Sequence, residues 1–229
     1  MDFILEGIAK AFVLLLQGDP ETYSAVWATV QAASMSMTAS LLVGIPLGYL
    51  LGYLNFPGKK GVRTVVDTLL SLPTVFIGLI VYAFISNRGP LGEFGLLFTL
   101  TGIAIGQTIL ALPVVIALTA TAVESLDRSL RPTLISLGAT RMQIFLTSVR
   151  EARLGILIAA ITASARVLTE VGISMMVGGN IKWHTRTITT AIALETNKGE
   201  FATGIALGLV LLAIAFVISF SLSFLRRRA

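Results

Sequence analysis

Arg166 and Glu170 stand four residues apart in a segment, 154–179, that carries no other charge. That spacing puts both side chains on one face of a helix. An ion held in hydrocarbon is costly, so the pair must face a bundle interior or water. Two readings stay open. In one, Arg166 lends positive potential to a path for an anion and Glu170 holds it in place. In the other, the two charges neutralise each other and pin helix packing.

A second concentration of polar chemistry is "SLRPTLISLGATRMQIFLTSVREAR", residues 129–153. Asp127 precedes it in a position to cap a short helix near 128–137, and Pro132 suits that helix's first turn, where its missing N–H costs little. Leu130, Leu134 and Leu137 share one face. Gly138 then ends the helix. Thr140 and Gln143 have capping-box spacing for the next one. The reading is short helix, glycine turn, long helix. Leucines exposed between charges need a groove to fill, usually on another protein. An ordinary basic loop is the competing reading.

Prolines and small polar residues punctuate the apolar segments. Pro46, Pro73 and Pro113 each remove a helix hydrogen bond and favour a kink or local unwinding. Ser71 and Thr74 flank Pro73, so a kink there offers hydroxyls to a central pore and makes a gate; packing alone is the alternative. Gly172, Gly178, Gly179 and Asn180 end the 154–179 segment, and glycine pairs permit close helix approach or an abrupt stop. Thr185, Thr187, Thr189 and Thr190 follow. This hydroxyl-rich stretch either folds back to line an outer mouth or forms a solvated loop with helix caps.

Several chemistries are excluded. The chain has no cysteine and one histidine, His184, so thiol chemistry is absent and a histidine metal site is not expected. The carboxylates are scattered, with no catalytic constellation, so the chain is not read as an enzyme. "GKKG" at 58–61 lacks the upstream glycine and following hydroxyl of a nucleotide-binding loop. No cofactor is expected on this chain, and nothing points to nucleic acid.

The elements that must position these residues are membrane helices. The 229 residues are 55% hydrophobic and 13% charged, with mean hydropathy +0.88. Soluble domains carry about 25% charged residues. Charge-free runs at 22–58, 68–87, 94–123 and 201–225, with the interrupted 154–179 run, predict five spans at 26–53, 66–87, 97–122, 154–179 and 202–225. Asp2, Glu6, Lys10 and Gln17 form one stripe on residues 1–20. That pattern suits an interfacial helix ended by Gly18 and Pro20, with a short sixth span as the alternative. The whole, 1–229, reads as one all-α polytopic domain with a loop at 124–147.

Most of the 17 Lys and Arg, including Lys59, Lys60, Arg63 and Arg226–Arg228, fall on the side of that loop. The positive-inside rule makes this side cytoplasmic, with the N-terminus outside and the C-terminus inside.

"LISLGATRMQIF" resembles the glycine-centred core of the signature loop of ABC-importer permeases, usually Glu-Ala-Ala, three residues, Gly. "LSLPTVFIGLIVYAFISNRGPLG", "REARLGILIAAITASARVLTEVGISMMVGGNI" and "TRTITTAIALETNKGEFA" resemble the oxyanion branch, which handles molybdate, tungstate and sulfate; within it, the "REAR", "TEVGISMMVGGNI" and "TTAIALETNKG" stretches resemble the tungstate permeases. The resemblance covers almost the whole chain. It implies a type I ABC-importer permease fold and a homodimer with the path at its interface. It also implies two cytoplasmic ATPase subunits that carry ATP and Mg, and an extracytoplasmic substrate-binding protein. The short helix before the glycine would be the coupling helix, with Arg131, Pro132, Leu134, Leu137, Gly138, Ala139, Thr140 and Arg141 at the ATPase. Ser71, Pro73, Thr74, Arg166, Glu170, Gly172, Asn180 and Thr187 are the path or gate candidates.

Three departures stand out. Pro132 occupies the usual glutamate position. Thr133 and Leu134 replace the two alanines. Arg150-Glu151 replaces a closing Leu-Pro. The glutamate's role therefore does not carry over. The competing class is a self-sufficient secondary transporter or channel for a small anion, but five spans do not divide into two equal inverted halves.

Overall fold

Asp19 opens the first long helix. Its carboxylate accepts from the Thr22 amide at 2.8 Å, and Pro20 takes the first turn. Helix α2 then runs from Pro20–Tyr53 without a break. The computed structural model describes residues 2–17, 19–127 and 129–228. Gly18, expected to end the preceding helix, lies outside them. Pro20 starts a helix rather than stopping one.

The remaining elements, in order, are α1 (Asp2–Leu16), α3 (Lys59–Leu69), α4 (Thr74–Ile85), a 3₁₀ turn (Gly92–Phe94), α5 (Leu100–Glu124), α6 (Leu130–Ser136), α7 (Arg141–Glu151), α8 (Arg153–Leu168), α9 (Gly172–Gly178), α10 (Ile188–Asn197) and α11 (Phe201–Arg228). Among the described residues α2, α5 and α11 are each long and apolar enough to cross a membrane. Two bent pairs complete five crossings when each is counted as one: α3 with α4, bent by 97°, and α8 with α9, bent by 57°. At 15 residues α1 reaches about 22 Å, short of a full crossing. It packs on α11, with Gly7 against Ile205 and Lys10 Nζ donating to Thr203 Oγ1 at 2.6 Å.

Only one of the three prolines breaks its span. Pro46 and Pro113 sit inside continuous helices, whereas Pro73 caps α4. One lost hydrogen bond is tolerated where neighbours hold the helix on both sides of it. At Pro73 the chain already leaves the helix, since Ser71 and Leu72 close tight turns onto Thr68 and Leu69.

The core is organised around α5. Ser36, Ser40, Gly44, Gly48 and Gly52 recur every four residues along α2 and face it. A Cβ on Gly44 would lie 2.7 Å from Val115 Cγ1, and one on Gly52 would lie 2.6 Å from the Ala120 carbonyl. Both partners advance together in number, so α2 and α5 run parallel and end at the same side of the bundle. Without a hydrophobic drive between helices in lipid, such small-residue stripes supply packing by close approach. Buried Ala33, Ala111, Val115, Ala163 and Val167 continue this contact to α8. Ile77, Val81, Leu110, Ile173 and Val177 join α4, α5 and α9.

Candidate functional site

The spacing of Arg166 and Glu170 suggests a pair, but α8 stops at Leu168. Glu170 therefore lies beyond the helix, in the bend before α9. Among the described residues Arg166 makes no ion pair. Its Nη2 donates to the Leu70 carbonyl at 3.0 Å. That carbonyl belongs to the break between α3 and α4, where helical partners are missing. Glu170 is buried, and its Oε1 accepts from the Ile173 amide at 3.0 Å, at the start of α9. So neither mutual neutralisation nor a shared helix face describes these residues. Each satisfies backbone at a different break.

The two breaks meet. A Cβ on Gly172 would come within 3.0 Å of Val75 Cγ2 and 3.2 Å of Thr74 Oγ1 and the Val75 amide, so a larger residue would press α9 away from α4. Thr74 is half-buried, while Ser71 and Pro73 are exposed. Ser71, Pro73, Thr74, Arg166 and Gly172 thus gather at one elbow, with Glu170 behind it.

The threonine-rich stretch is packed inward. Thr187 is buried and caps α10 through a reciprocal capping box with Thr190. Its hydroxyl lies 3.0 Å from that of Thr189, which donates to the Glu170 carbonyl at 2.9 Å. The Ile188 amide donates to Thr29 Oγ1 on α2 at 2.9 Å. These hydroxyls hold α10 against the α8–α9 break, so Thr187 is not exposed to line an outer mouth. Asn180, at φ 51°, lies apart from the elbow and accepts from Arg186 Nε at 3.2 Å. His184 is exposed.

The loop after α5 folds as short helix, glycine turn, long helix. Gly138 has φ +75°, a conformation that favours glycine. Its amide donates to the Ile135 carbonyl at 3.0 Å, and the Ala139 amide donates to the Leu134 carbonyl at 3.0 Å. This is the two-bond Schellman closure that satisfies a helix's last carbonyls. Thr140 and Gln143 form the capping box of α7. Helix α6 is shorter than expected and starts at Leu130. Asp127 does not cap it: Oδ1 accepts from the Ser129 amide at 2.8 Å, two residues on, and closes a turn ahead of the helix. That bond, and a second from the Ser129 side chain, hold the Asp127 carboxyl below its ordinary range. Leu137 is 77% exposed and Ile135 55%, while Leu134 turns partly inward. Pro132 sits in the first turn of α6, and Arg141 is exposed at the start of α7. The Arg131 side chain lies outside the described residues.

Sequence reasoning missed three features. The α2 stripe was visible as "SMTASLLVGIPLGYLLG", but only its facing helix gives it meaning. The Leu70 carbonyl is backbone and has no sequence signature. Glu124, the last residue of α5, meets Lys59 at 3.1 Å and Arg63 at 3.8 Å; a charge at a span's end does not announce its partner.

Comparison with known proteins follows the same outline. Residues 44–229 match the family described as "Binding-protein-dependent transport system inner membrane component". The chain is 48% identical over 227 residues to the tungstate uptake system permease protein TupB of Campylobacter jejuni, covering 99% of this chain and 95% of that one. It is 38% identical to the protein of the same description from Peptoclostridium acidaminophilum, covering 96% of each. A solved bacterial alginate ABC transporter, in complex with an alginate-bound periplasmic protein, superposes with TM-score 0.77 over 97% of this chain and 86% of that one, at 19% identity. The fold is that of the type I ABC-importer permeases, and the chain belongs to their family, the inner membrane components of binding-protein-dependent transport systems.

Proposed function

We propose that this chain is the permease subunit of an ATP-driven importer of tungstate, with molybdate the second candidate. The observation that carries the substrate is the 48% identity to a tungstate permease across 99% of the chain. Two copies form the translocation path between them. Two ATPase subunits dock on α6, whose exposed Ile135 and Leu137 present an apolar edge beside the Gly138 turn. An extracytoplasmic binding protein delivers substrate at the opposite end. The distribution of Lys and Arg supports a cytoplasmic coupling loop and C-terminus, with the N-terminus outside.

At the elbow, Arg166 and Glu170 have different roles. Arg166 carries a charge that no carboxylate among the described residues neutralises, and it lies where two spans are broken. It supplies positive potential for a tetrahedral oxyanion while its hydrogen bond holds Leu70. Thr74 and Gly172 form the contact that opens and closes as the spans rearrange. Closure of the ATPases on nucleotide pulls the coupling loops together and turns the path outward. Hydrolysis returns it inward. A path that bound its anion tightly would not release it, so one cation at a flexible elbow suits transport.

The test is uptake of labelled tungstate into liposomes containing permease, ATPase and binding protein, with molybdate and sulfate as competitors. ATP-dependent uptake that molybdate suppresses less than unlabelled tungstate is expected. Equal or better competition by sulfate would remove the substrate assignment. Uptake that persists without the ATPase would restore the self-sufficient carrier.

A further inference from the structure

Helix α3 is held at both of its ends. At the first, Lys59 Nζ donates to the Gly52 carbonyl of α2 at 3.1 Å and pairs with Glu124 at 3.1 Å. Arg63, one turn on, donates to Thr121 Oγ1 at 2.7 Å and lies 3.8 Å from Glu124. At the second, the Leu70 carbonyl accepts from Arg166 of α8. Eleven residues of helix make a bar of about 16 Å between these points.

Glu124 has a particular place at the first end. It is the last residue of α5, and α6 begins six residues later, at Leu130. A cavity of about 420 Å³ beside it, bordered by Lys59, Asp127, Leu130 and Ser148, leaves α6 room to shift. The Lys59 and Glu124 side chains are 22% and 40% exposed. Ion pairs exposed to this degree add little to static stability. They fix the relative position of two elements and let go without the penalty of a buried pair.

We propose that Glu124 is a positioning residue that passes motion of the coupling loop to the gate. This rests on the transporter reading above. Through Lys59 and Arg63, Glu124 makes the near end of α3 follow α5 and α6. The far end of α3 carries Leu70, and with it Arg166 and the α3–α4 elbow beside Thr74 and Gly172. A displacement of α6 by the ATPase is thereby delivered as a displacement of the elbow, along one helix. With the ionic contact gone, α6 still docks and the ATPase still turns over, but α3 keeps only the Lys59–Gly52 and Arg63–Thr121 bonds and follows less closely.

The experiment measures tungstate uptake and ATP hydrolysis on the same liposomes, using the full complex. Glu124→Gln is expected to assemble with wild-type stoichiometry and hydrolyse ATP, while tungstate moved per ATP falls by about five-fold or more. Glu124→Asp, which keeps the charge, recovers most of that ratio. Lys59→Gln removes the nearer partner of Glu124 and gives the same fall, which keeps the test open if Glu124→Gln does not accumulate. A wild-type ratio in Glu124→Gln or Lys59→Gln, or an Asp variant no better than Gln, overturns the proposal. Uptake without ATP in the wild type removes the ATP-driven reading and this proposal with it. A coupled wild type beside a coupled Glu124→Gln removes the role of Glu124 alone.

Discussion

Arg166 donates to the carbonyl of Leu70, 3.0 Å away and 96 residues earlier in the chain, and this bond ties the end of α8 to the break between α3 and α4. A break inside a membrane leaves carbonyls and amides without helical partners, and lipid offers none. Here a guanidinium answers the first break and the Glu170 carboxylate answers the second, by accepting from the Ile173 amide. Two charged side chains permit two elbows, and the elbows pack on each other through Thr74 and Gly172.

The two charges should therefore behave independently. Arg166→Met removes a charge-assisted bond. Such bonds are worth about 1.5–3 kcal/mol in soluble proteins, and bonds between membrane helices average about 0.6. A loss of roughly 1 kcal/mol lies between those figures. Glu170→Gln keeps an oxygen for the Ile173 amide and should cost less. The double variant should match the sum of the singles to within about 0.5 kcal/mol. Unfolding of the detergent-solubilised protein measures all three. A coupling well above that margin would mean that the two side chains interact directly.

How much of this was legible follows from where the information resides. Four of the five predicted spans are written in charge-free runs, because lipid excludes charge over a fixed thickness, and α2, α5 and α11 fall on three of them. The turn at Gly138 and the cap at Thr140 are local chemistry, and their residues announce them. Of the two elbows, the one at Pro73 was among the kinks that the prolines predict, and the one before α9 was not legible. The 154–179 segment is apolar on both sides of Glu170, and nothing in its composition marks the end of α8 at Leu168. The same blindness made three prolines look equivalent. Only Pro73 stands at a break, because tertiary neighbours decide whether a helix survives a missing bond.

Gly138 tests the turn without disturbing the core. A Cβ there meets nothing within 4 Å, so the cost of Gly138→Val is backbone strain at φ +75°. Left-handed backbone costs an ordinary residue about 1–2 kcal/mol, and β-branching adds to it. The expected result is a permease that melts close to the wild-type temperature but co-purifies less ATPase or hydrolyses ATP without uptake. Leu137→Asp, at an exposed position with no special backbone, should weaken co-purification in the same way. Normal assembly and uptake in both variants would remove α6 as the docking element.

Asp127 gives the loop a defined acid sensitivity. Its carboxyl is held below the ordinary value of 3.8, first by the Ser129 amide and then by the Ser129 side chain. A depressed folded value means that the turn's contribution is complete above the unfolded value and is lost as pH falls through the folded one. Protection of the Ser129 amide, corrected for its intrinsic exchange rate, should stay level from neutral pH down to about 5 and decline only below 3.8. Asp127→Ala should show the lowered protection at every pH. A decline beginning near neutrality would assign the turn to another group.

The sharpest demand on the fold is at Gly48. A Cβ there would lie 2.7 Å from Thr119 Cβ and 2.8 Å from the Ile116 carbonyl, both on α5. Neither neighbour is the loose end of a side chain, so α2 and α5 must separate to admit even a methyl group. Separation also disturbs Gly44 and Gly52 above and below, because the stripe acts as one surface. Overpacking of this kind costs about 1–3 kcal/mol in well-packed cores. Gly48→Ala should lower the yield of folded permease and its melting temperature. Gly208→Ala on α11, where a Cβ meets nothing within 4 Å, should leave both unchanged or raise them slightly through helix propensity. Equal stability of the two variants would show that α2 and α5 do not approach as closely as the glycine stripe requires.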